Sequence, residues 1–304
     1  MIFRKFATRF VLKILPAYNR GRLKPTKLNI LLEKILFYAQ YGVWANFKEP
    51  VTYFEIVNKQ KFYGDYEKLA LISDKFAVRN YVEETIGREY LNKIIDVADS
   101  PDKIDNDRYL SYPETFVAKP NMASKRVCIN KVTDYDLFLK KTTGFMDEFG
   151  NRNNEFHYKH IEKKVIIEEW LNPAKGQLVE LKCLVFNGWL GLIAHTENVY
   201  EKEQAGKSLL RFYDREWKEP PLQIREHTAK PVPKPVRLQE VIELSEKLSA
   251  GWPFMRVDWY LADGKLVFGE MTPIPRGGRS FNLNLEDHRF IFENYYKKSL
   301  VKKC

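Results

Sequence analysis

The stretch Met255-Arg-Val-Asp-Trp-Tyr-Leu-Ala-Asp-Gly-Lys-Leu-Val-Phe-Gly-Glu-Met-Thr272 places two runs of strand-forming residues around Ala262-Asp263-Gly264, a pattern that folds back as an antiparallel hairpin. Residues two apart share a face of a strand, so register decides which charged groups meet. A two-residue turn at Asp263-Gly264 would set Asp258 and Glu270 on opposite faces, because a slip of one residue turns a strand over. A three-residue turn with Gly264 left-handed pairs Leu261 with Lys265, sets Arg256 across from Glu270, and keeps Asp258 and Thr272 on that side. The opposite face then reads Met255, Val257, Trp259, Leu261, Val267 and Met271. This register separates charged from apolar residues, and it is the one expected. Two carboxylates, a hydroxyl and an arginine on one face suit magnesium with a bound phosphate. A solvated face with an ordinary Arg-Glu cross-strand pair is the other reading of the same residues.

At 304 residues and 36.0 kDa the chain can bury a sizeable core, expected as two closely packed lobes. With 44% hydrophobic and 30% charged residues it is neither disordered nor membrane-spanning. Cys128, Cys183 and Cys304 have no metal-like spacing and read as reduced thiols of a cytosolic protein. His157 and His160 have helical spacing, but no third ligand accompanies them, which argues against zinc. Of the net charge of +10, eight positive charges lie in residues 1 to 32 (Arg4, Lys5, Arg9, Lys13, Arg20, Arg22, Lys24, Lys27), where there is no acid. The remainder is nearly neutral, so no nucleic-acid partner is expected.

Ile2, Phe3, Phe6, Phe10, Ile14 and Leu15 recur at helical spacing among basic residues, predicting a short amphipathic helix that Pro16 stops. Nothing approaches the roughly 18 apolar residues of a membrane span. An anionic membrane surface, or docking on the protein's own body, would accommodate such a helix. Residues 28–48 are expected to hold a second apolar helix that runs up to Gly42-Val-Trp44, whereas 51–72 has no clear pattern. Ser73 or Asp74 caps a helix that Gly87 ends. Strands follow at 115–120 and 126–130, a helix at 133–149, and a strand over 164–171 that ends in paired acids. A long hairpin, 177–199, turns at Asn187-Gly188 and carries Glu180 and Lys182 on one face. Residues 202–235, rich in charge and proline, read as surface loop, and Leu238, Val241, Ile242, Ser245 and Leu248 as a helix stopped by Gly251.

The segments Asp74-Lys-Phe-Ala-Val-Arg-Asn-Tyr-Val82, Phe116-Val-Ala-Lys-Pro-Asn121, Ile167-Glu-Glu-Trp-Leu171, Leu181-Lys-Cys-Leu-Val-Phe-Asn-Gly188, Arg256-Val-Asp-Trp-Tyr260 and Phe268-Gly-Glu-Met-Thr272 follow one another in an order that resembles the ATP-grasp superfamily. Their wording is most similar to its TupA-like branch, of teichuronopeptide biosynthesis. The resemblance runs from about Trp44 to Asp287. It implies an α+β, ATP-grasp fold of two lobes, each with an antiparallel sheet and helices, and a nucleotide between them. Residues 1–45 would form a basic helical extension, 46–171 the part with the phosphate lysines and hinge, and 172–304 the lobe with the metal site. The cofactors implied are ATP and Mg2+. Lys75 and Lys119 fall at the family's phosphate-binding lysines, and Lys182 approaches the phosphates from the second lobe. Glu168, Glu169, Trp170 and Leu171 form the hinge that receives adenine, through backbone groups near Glu169 and Trp170 and a carboxylate such as Glu168. Asp258 and Glu270 hold the magnesium, with Thr272 where many members have asparagine.

Two departures stand out. The loop Asn121-Met-Ala-Ser-Lys-Arg126 lacks the family's glycines, leaving Ser124 and Lys125 as substitutes for gripping phosphate. Thr272 offers a hydroxyl rather than an amide oxygen to the metal. Arg276-Gly-Gly-Arg279 reads as a positive, flexible segment able to meet a carboxylate substrate or the phosphoryl group in flight. The activity implied is carboxylate-amine ligation through an acylphosphate, with Arg256, Lys182, Arg276 and Arg279 in catalytic roles. The expected substrates are a carboxylate and an amine from acidic cell-surface polysaccharide or peptide precursors, with the protein cytoplasmic or peripheral on the inner membrane face through residues 1–27. Phosphate transfer to a sugar hydroxyl, and a non-catalytic membrane-surface partner with a degenerate ATP site, are the competing readings.

Overall fold

The computed structural model describes residues 2–122, 127–130, 134–171, 178–198, 208–223, 230–279 and 283–302. Ser124 and Lys125 lie outside the described residues. Two antiparallel sheets organise them. The first has the order β1 (Ile94–Ala98), β4 (Val165–Glu169), β2 (Thr115–Pro120), β3 (Val127–Asn130). The second runs β7 (Ser208–Asp214), β6 (Trp189–Asn198), β5 (Val179–Phe186), β8 (Phe254–Ala262), β9 (Lys265–Thr272). The strand β7 falls in 202–235, which the sequence presents as loop; pairing along β6 supplies the ladder that its local composition does not advertise.

α1 (Ile2–Asn19) runs through Pro16 instead of stopping there. The missing backbone bond is tolerated because Val11 and Leu15 are buried with Leu32 and Leu36 of α2 (Lys27–Tyr41). Thr26 and Asn29 form a capping box at the start of α2, and left-handed Gly42 ends it where the sequence places its stop. Residues 51–72, without clear pattern in the sequence, hold α3 (Tyr53–Tyr63) and α4 (Tyr66–Ser73). Most of α3 is buried on every side, which erases the amphipathic period by which a helix is recognised. Asp74 does not begin the next helix directly. It accepts bonds from the Phe76 and Ala77 amides in a turn, and α5 follows as Val78–Ile86. The helices α6 (Asn106–Leu110) and α7 (Tyr135–Thr142) flank the first sheet, α7 being shorter than the expected 133–149. After α8 (Leu238–Leu248) and the β8–β9 hairpin, α9 (Leu285–Ile291) leads to the C-terminal turns.

One core joins α5 and α8 to the inner face of the second sheet, through Val78, Val82, Leu181, Cys183, Val241, Leu248, Met255, Val257, Trp259 and Met271. Another lies under the first sheet, with Phe116, Ala118, Val165 and Ile167 against Tyr109 and Phe138. The face of the first sheet opposite its core carries Lys119 and Glu168, and the second sheet carries Lys182, Asp258 and Glu270 on the face opposite Leu181, Val257 and Met271. Among the described residues no helix is long and apolar enough to cross a membrane.

Candidate active site

The β8–β9 turn is the two-residue kind. Asp263 and Gly264 are both left-handed, with φ of 49° and 77°, and Ala262 pairs with Lys265. The expected three-residue turn is therefore wrong, and Leu266 and Phe268, not Val267, join the core beside Trp259. Left uncorrected, this register would separate Asp258 from Glu270. A β-bulge restores them: Trp259 pairs with Phe268 but Asp258 pairs with Glu270, so the extra residue is Gly269. A Cβ at Gly269 would lie 3.0 Å from the Asp258 carbonyl oxygen and 3.0 Å from the Tyr260 ring. Glycine is what lets the strand pass this close.

Beyond the bulge, Arg256, Asp258, Glu270 and Thr272 share one face as expected, although Arg256 pairs with Thr272 rather than Glu270, and β5 extends the face, because Lys182 pairs with Asp258. Lys182, Asp258 and Glu270 thus form a row across three strands. Arg256 bridges the carboxylates, its Nε and Nη2 lying 2.7 and 2.8 Å from the two Asp258 oxygens and its Nη2 2.6 Å from Glu270 Oε1. Lys182 Nζ donates to Glu180 Oε1 at 2.7 Å and to Asp258 Oδ2 at 3.2 Å. Thr272 Oγ1 donates to Glu270 Oε1 at 3.1 Å. Lys75 Nζ reaches Glu270 Oε2 at 3.2 Å from the turn between α4 and α5.

The electrostatics follow. Burial pushes Glu270 upward, but Lys75, Arg256 and Lys182 outweigh it and hold the carboxyl well below its usual range. Burial dominates at Asp258 and raises it, against the pull of Arg256 and Lys182. Burial opposes charge on Arg256, yet the two carboxylates win and raise it. Tyr158, absent from the sequence expectations, is raised first by burial, then by Glu155 and Glu270, and stays a neutral phenol beside this charged row.

On the first sheet Lys119 Nζ meets Glu168 Oε2 at 2.6 Å, and Arg79 of α5 lies 3.7 Å from Glu168 Oε1. Lys119 and Glu168 share the face opposite the core, which explains a charge at the end of an apolar strand. At the expected hinge, the Glu169 amide donates to the Lys93 carbonyl at 3.0 Å, and Asn92 Nδ2 donates to the Glu169 carbonyl at 2.8 Å. Both backbone groups of Glu169 are engaged within the protein, and Trp170 and Leu171, the remaining residues of the expected hinge, are half-buried. The strand β1, unforeseen in the sequence, places Lys93 and Asn92 there.

The two faces are tied together by Asn121, fully buried at the end of β2. Its amide donates to Asp74 Oδ1 and to the Glu162 carbonyl, each at 2.9 Å, and its carbonyl accepts from the Lys75 amide at 3.0 Å. The Asn of Lys-Pro-Asn was visible in the sequence, but its partner, 47 residues away, was not.

Arg276-Gly-Gly-Arg279 is not the flexible segment the glycines suggested. Arg276, Gly277 and Gly278 are all left-handed, with φ of 52°, 64° and 74°. Arg279 is buried and bound to Glu33 of α2 through Nε at 2.7 Å and Nη2 at 3.0 Å, which removes it from contact with substrate. Arg276 is exposed, at the edge of a small pocket that Tyr53, Phe54, Val57, Pro275 and Gly278 also line.

A family model, TupA-like ATPgrasp, matches residues 55–291 of the chain. The chain belongs to the TupA-like ATP-grasp family. It has the family's α+β fold, and ATP with Mg2+ is the family's cofactor pair. No curated protein matches the sequence. Among solved structures, the D-alanine–D-alanine ligase of Bacillus anthracis complexed with ATP is similar at 15% identity and a TM-score of 0.46, over 77% of this chain and 66% of the ligase. The VanG D-Ala:D-Ser ligase of Enterococcus faecalis matches at 15% and 0.46, over 77% and 62%. The ATP-grasp ligase PsnB, complexed with a phosphomimetic variant of its minimal precursor, Mg and ADP, matches at 11% and 0.43, over 73% and 58%. This TupA-like chain therefore spans less than two thirds of the length of these ligases.

The side chains fit an ATP-grasp metal site. Among the described residues no cluster of three or more His, Cys, Asp or Glu converges, so the protein offers two facing carboxylates rather than a complete cage. Magnesium suits such a set, since it retains waters and takes phosphate oxygens as its remaining ligands.

Proposed function

We propose that the protein is an ATP-dependent carboxylate-amine ligase that works through an acylphosphate, on acidic cell-surface polysaccharide or peptide precursors. The observation carrying this reading is the row Lys182–Asp258–Glu270 with Arg256 across both carboxylates and Lys75 joining it from the turn between α4 and α5. Asp258 and Glu270 would hold the magnesium, beside the Thr272 hydroxyl, and the ion would neutralise triphosphate charge. Lys75 and Lys119 orient the phosphates, and Trp170 and Leu171 flank the adenine. A substrate carboxylate oxygen attacks the terminal phosphorus, the bond to the bridging oxygen breaks, and ADP leaves. Arg256 and Lys182 stabilise charge spread over the equatorial oxygens, the main task in phosphoryl transfer. The amine nitrogen then attacks the acyl carbon, phosphate departs with the carbonyl-bound oxygen, and the amine gives up a proton. Arg276, at the mouth of the cavity beside Tyr53, meets the carboxylate or the phosphoryl group.

The basic α1–α2 arm supports a location on an anionic inner membrane face. Phe10, Leu23, Leu28 and Leu31 are exposed there, among the basic side chains. The test is ADP release with Mg2+ across pairs of carboxylates and amines, with products read by mass spectrometry. An amide supports ligation, and a phosphate ester with no amine requirement supports the phosphotransferase reading. Asp258→Asn and Glu270→Gln should each abolish turnover; unchanged ADP release in either variant overturns the metal assignment.

A further inference from the structure

We infer that Glu33, Lys61 and Asn58, with Arg279, are positioning residues that hold Arg276 in place for phosphoryl transfer, an inference that rests on the proposed nucleotide chemistry. Three successive left-handed residues, one of them not glycine, cost free energy that their surroundings must offset. The offsetting contacts can be named. Lys61 Nζ, fully buried, donates to the Gly277 carbonyl at 2.7 Å, and Asn58 Nδ2 donates to the Gly278 carbonyl at 2.9 Å. Glu33, also fully buried, binds Lys61 at 2.9 Å and Arg279 through both oxygens. Asn153 accepts from Arg279 Nη1 at 3.0 Å and lies so close to Gly277 that a Cβ there would be 2.4 Å from its own.

The knot also has a floor. Asn154, left-handed at φ 58°, donates to Glu33 Oε2 at 2.9 Å and accepts from Asn19 and Asn29 at 2.8 and 2.9 Å. Helices α1, α2 and α3 and the loop 150–155 therefore converge on two carbonyls and one guanidinium flanking Arg276. The segment they hold begins directly after Thr272, and Gln60 of α3 fixes its first residue by donating to the Pro273 carbonyl at 2.9 Å. Tyr53, also on α3, lines the pocket at whose edge Arg276 sits, and Arg276 follows Thr272 of the carboxylate face by only four residues. A buried ion pair contributes little net stability compared with apolar packing. Its value here is geometric: it leaves the Arg276 backbone one conformation.

The test uses the full chain and no substrate. Affinity for Mg2+–ADP, and for Mg2+–ADP with tetrafluoroaluminate as a mimic of the transferring phosphoryl group, is measured calorimetrically for wild type, Lys61→Met, Arg276→Ala and the double variant. Lys61→Met is expected to weaken the fluoroaluminate complex about tenfold or more while leaving Mg2+–ADP unchanged. Combined with Arg276→Ala it should add nothing. Additive losses, or a fluoroaluminate affinity equal to wild type, overturn the positioning role. Failure of the wild type to bind Mg2+–ADP overturns the nucleotide reading and this inference with it. Asn58→Ala, which removes the bond to Gly278, carries the same test if Lys61→Met does not fold.

Discussion

Replacing Glu33 with glutamine removes one charge from the centre of the buried knot and leaves its shape nearly intact. Burial pushes Glu33 upward, but Arg279 and Lys61 together outweigh that and hold it down at about 2, from 4.5. At about 1.4 kcal/mol per pH unit, the difference corresponds to about 3 kcal/mol of stability at neutral pH. Breaking buried pairs by removing one partner costs about 3–5 kcal/mol, because the other partner is left uncompensated. Here two partners are left, Arg279 and Lys61, with side chains only 4% and 0% exposed. The expectation is a loss of about 3 kcal/mol in urea unfolding at pH 7, with an unchanged slope against denaturant. The pH dependence gives a second reading. A carboxyl whose folded value is depressed contributes stability that is complete above its unfolded value and disappears as pH falls through the folded one. Glu33's own contribution to the gap between wild type and Glu33→Gln should therefore be complete above pH 5 or so and disappear between about 4.5 and about 2. The loss of Glu33 beside Lys61, itself lowered to about 8 by burial, adds a separate dependence at higher pH. A loss under about 1 kcal/mol at pH 7, or a gap that does not close in acid, would refute the assignment of Glu33 as the anion of the knot.

Gly269→Val should destabilise the hairpin by about 1–3 kcal/mol in the same assay and weaken Mg2+–ADP binding, since its side chain meets the Asp258 carbonyl; unchanged values would show that the bulge relaxes freely. Lys119→Met and Lys75→Met should each weaken Mg2+–ATP about tenfold by calorimetry, with Lys75→Met also allowing the Glu270 carboxyl to protonate at higher pH than in wild type. Phosphatidylserine vesicles should retain the protein at low salt and release it as salt rises, and Phe10→Ser with Leu31→Ser should reduce retention; binding indifferent to both would end the membrane reading.

The hairpin shows how far the residues themselves reached. Its two strands, its left-handed Gly264, and the sharing of a face by Arg256, Asp258, Glu270 and Thr272 were all legible, because strand period and segregation of charge are local properties. The route to that face was not. Asp263-Gly264 makes the tight turn its dipeptide favours, and a bulge at Gly269 corrects the phase. A bulge leaves no local signature beyond one glycine; it forms because the five-stranded sheet buries Trp259, Phe268 and Met271 on one side. The pairing of Lys119 with Glu168 and the strand β1 likewise depended on neighbours distant in sequence.

The arginine-glycine segment marks the boundary most clearly. Composition and periodicity determined the charged strand face and the basic N-terminal arm, and the order of motifs carried the resemblance to the ATP-grasp superfamily, since each is written in contiguous residues. Only the tertiary structure decided that Arg279 turns inward to Glu33 while Arg276 stays exposed, two like residues separated by two glycines. A charge pair formed across 246 residues, in a site from which water is excluded, has no trace along the chain, and it exists because the fold takes both members out of solvent and leaves each as the other's partner.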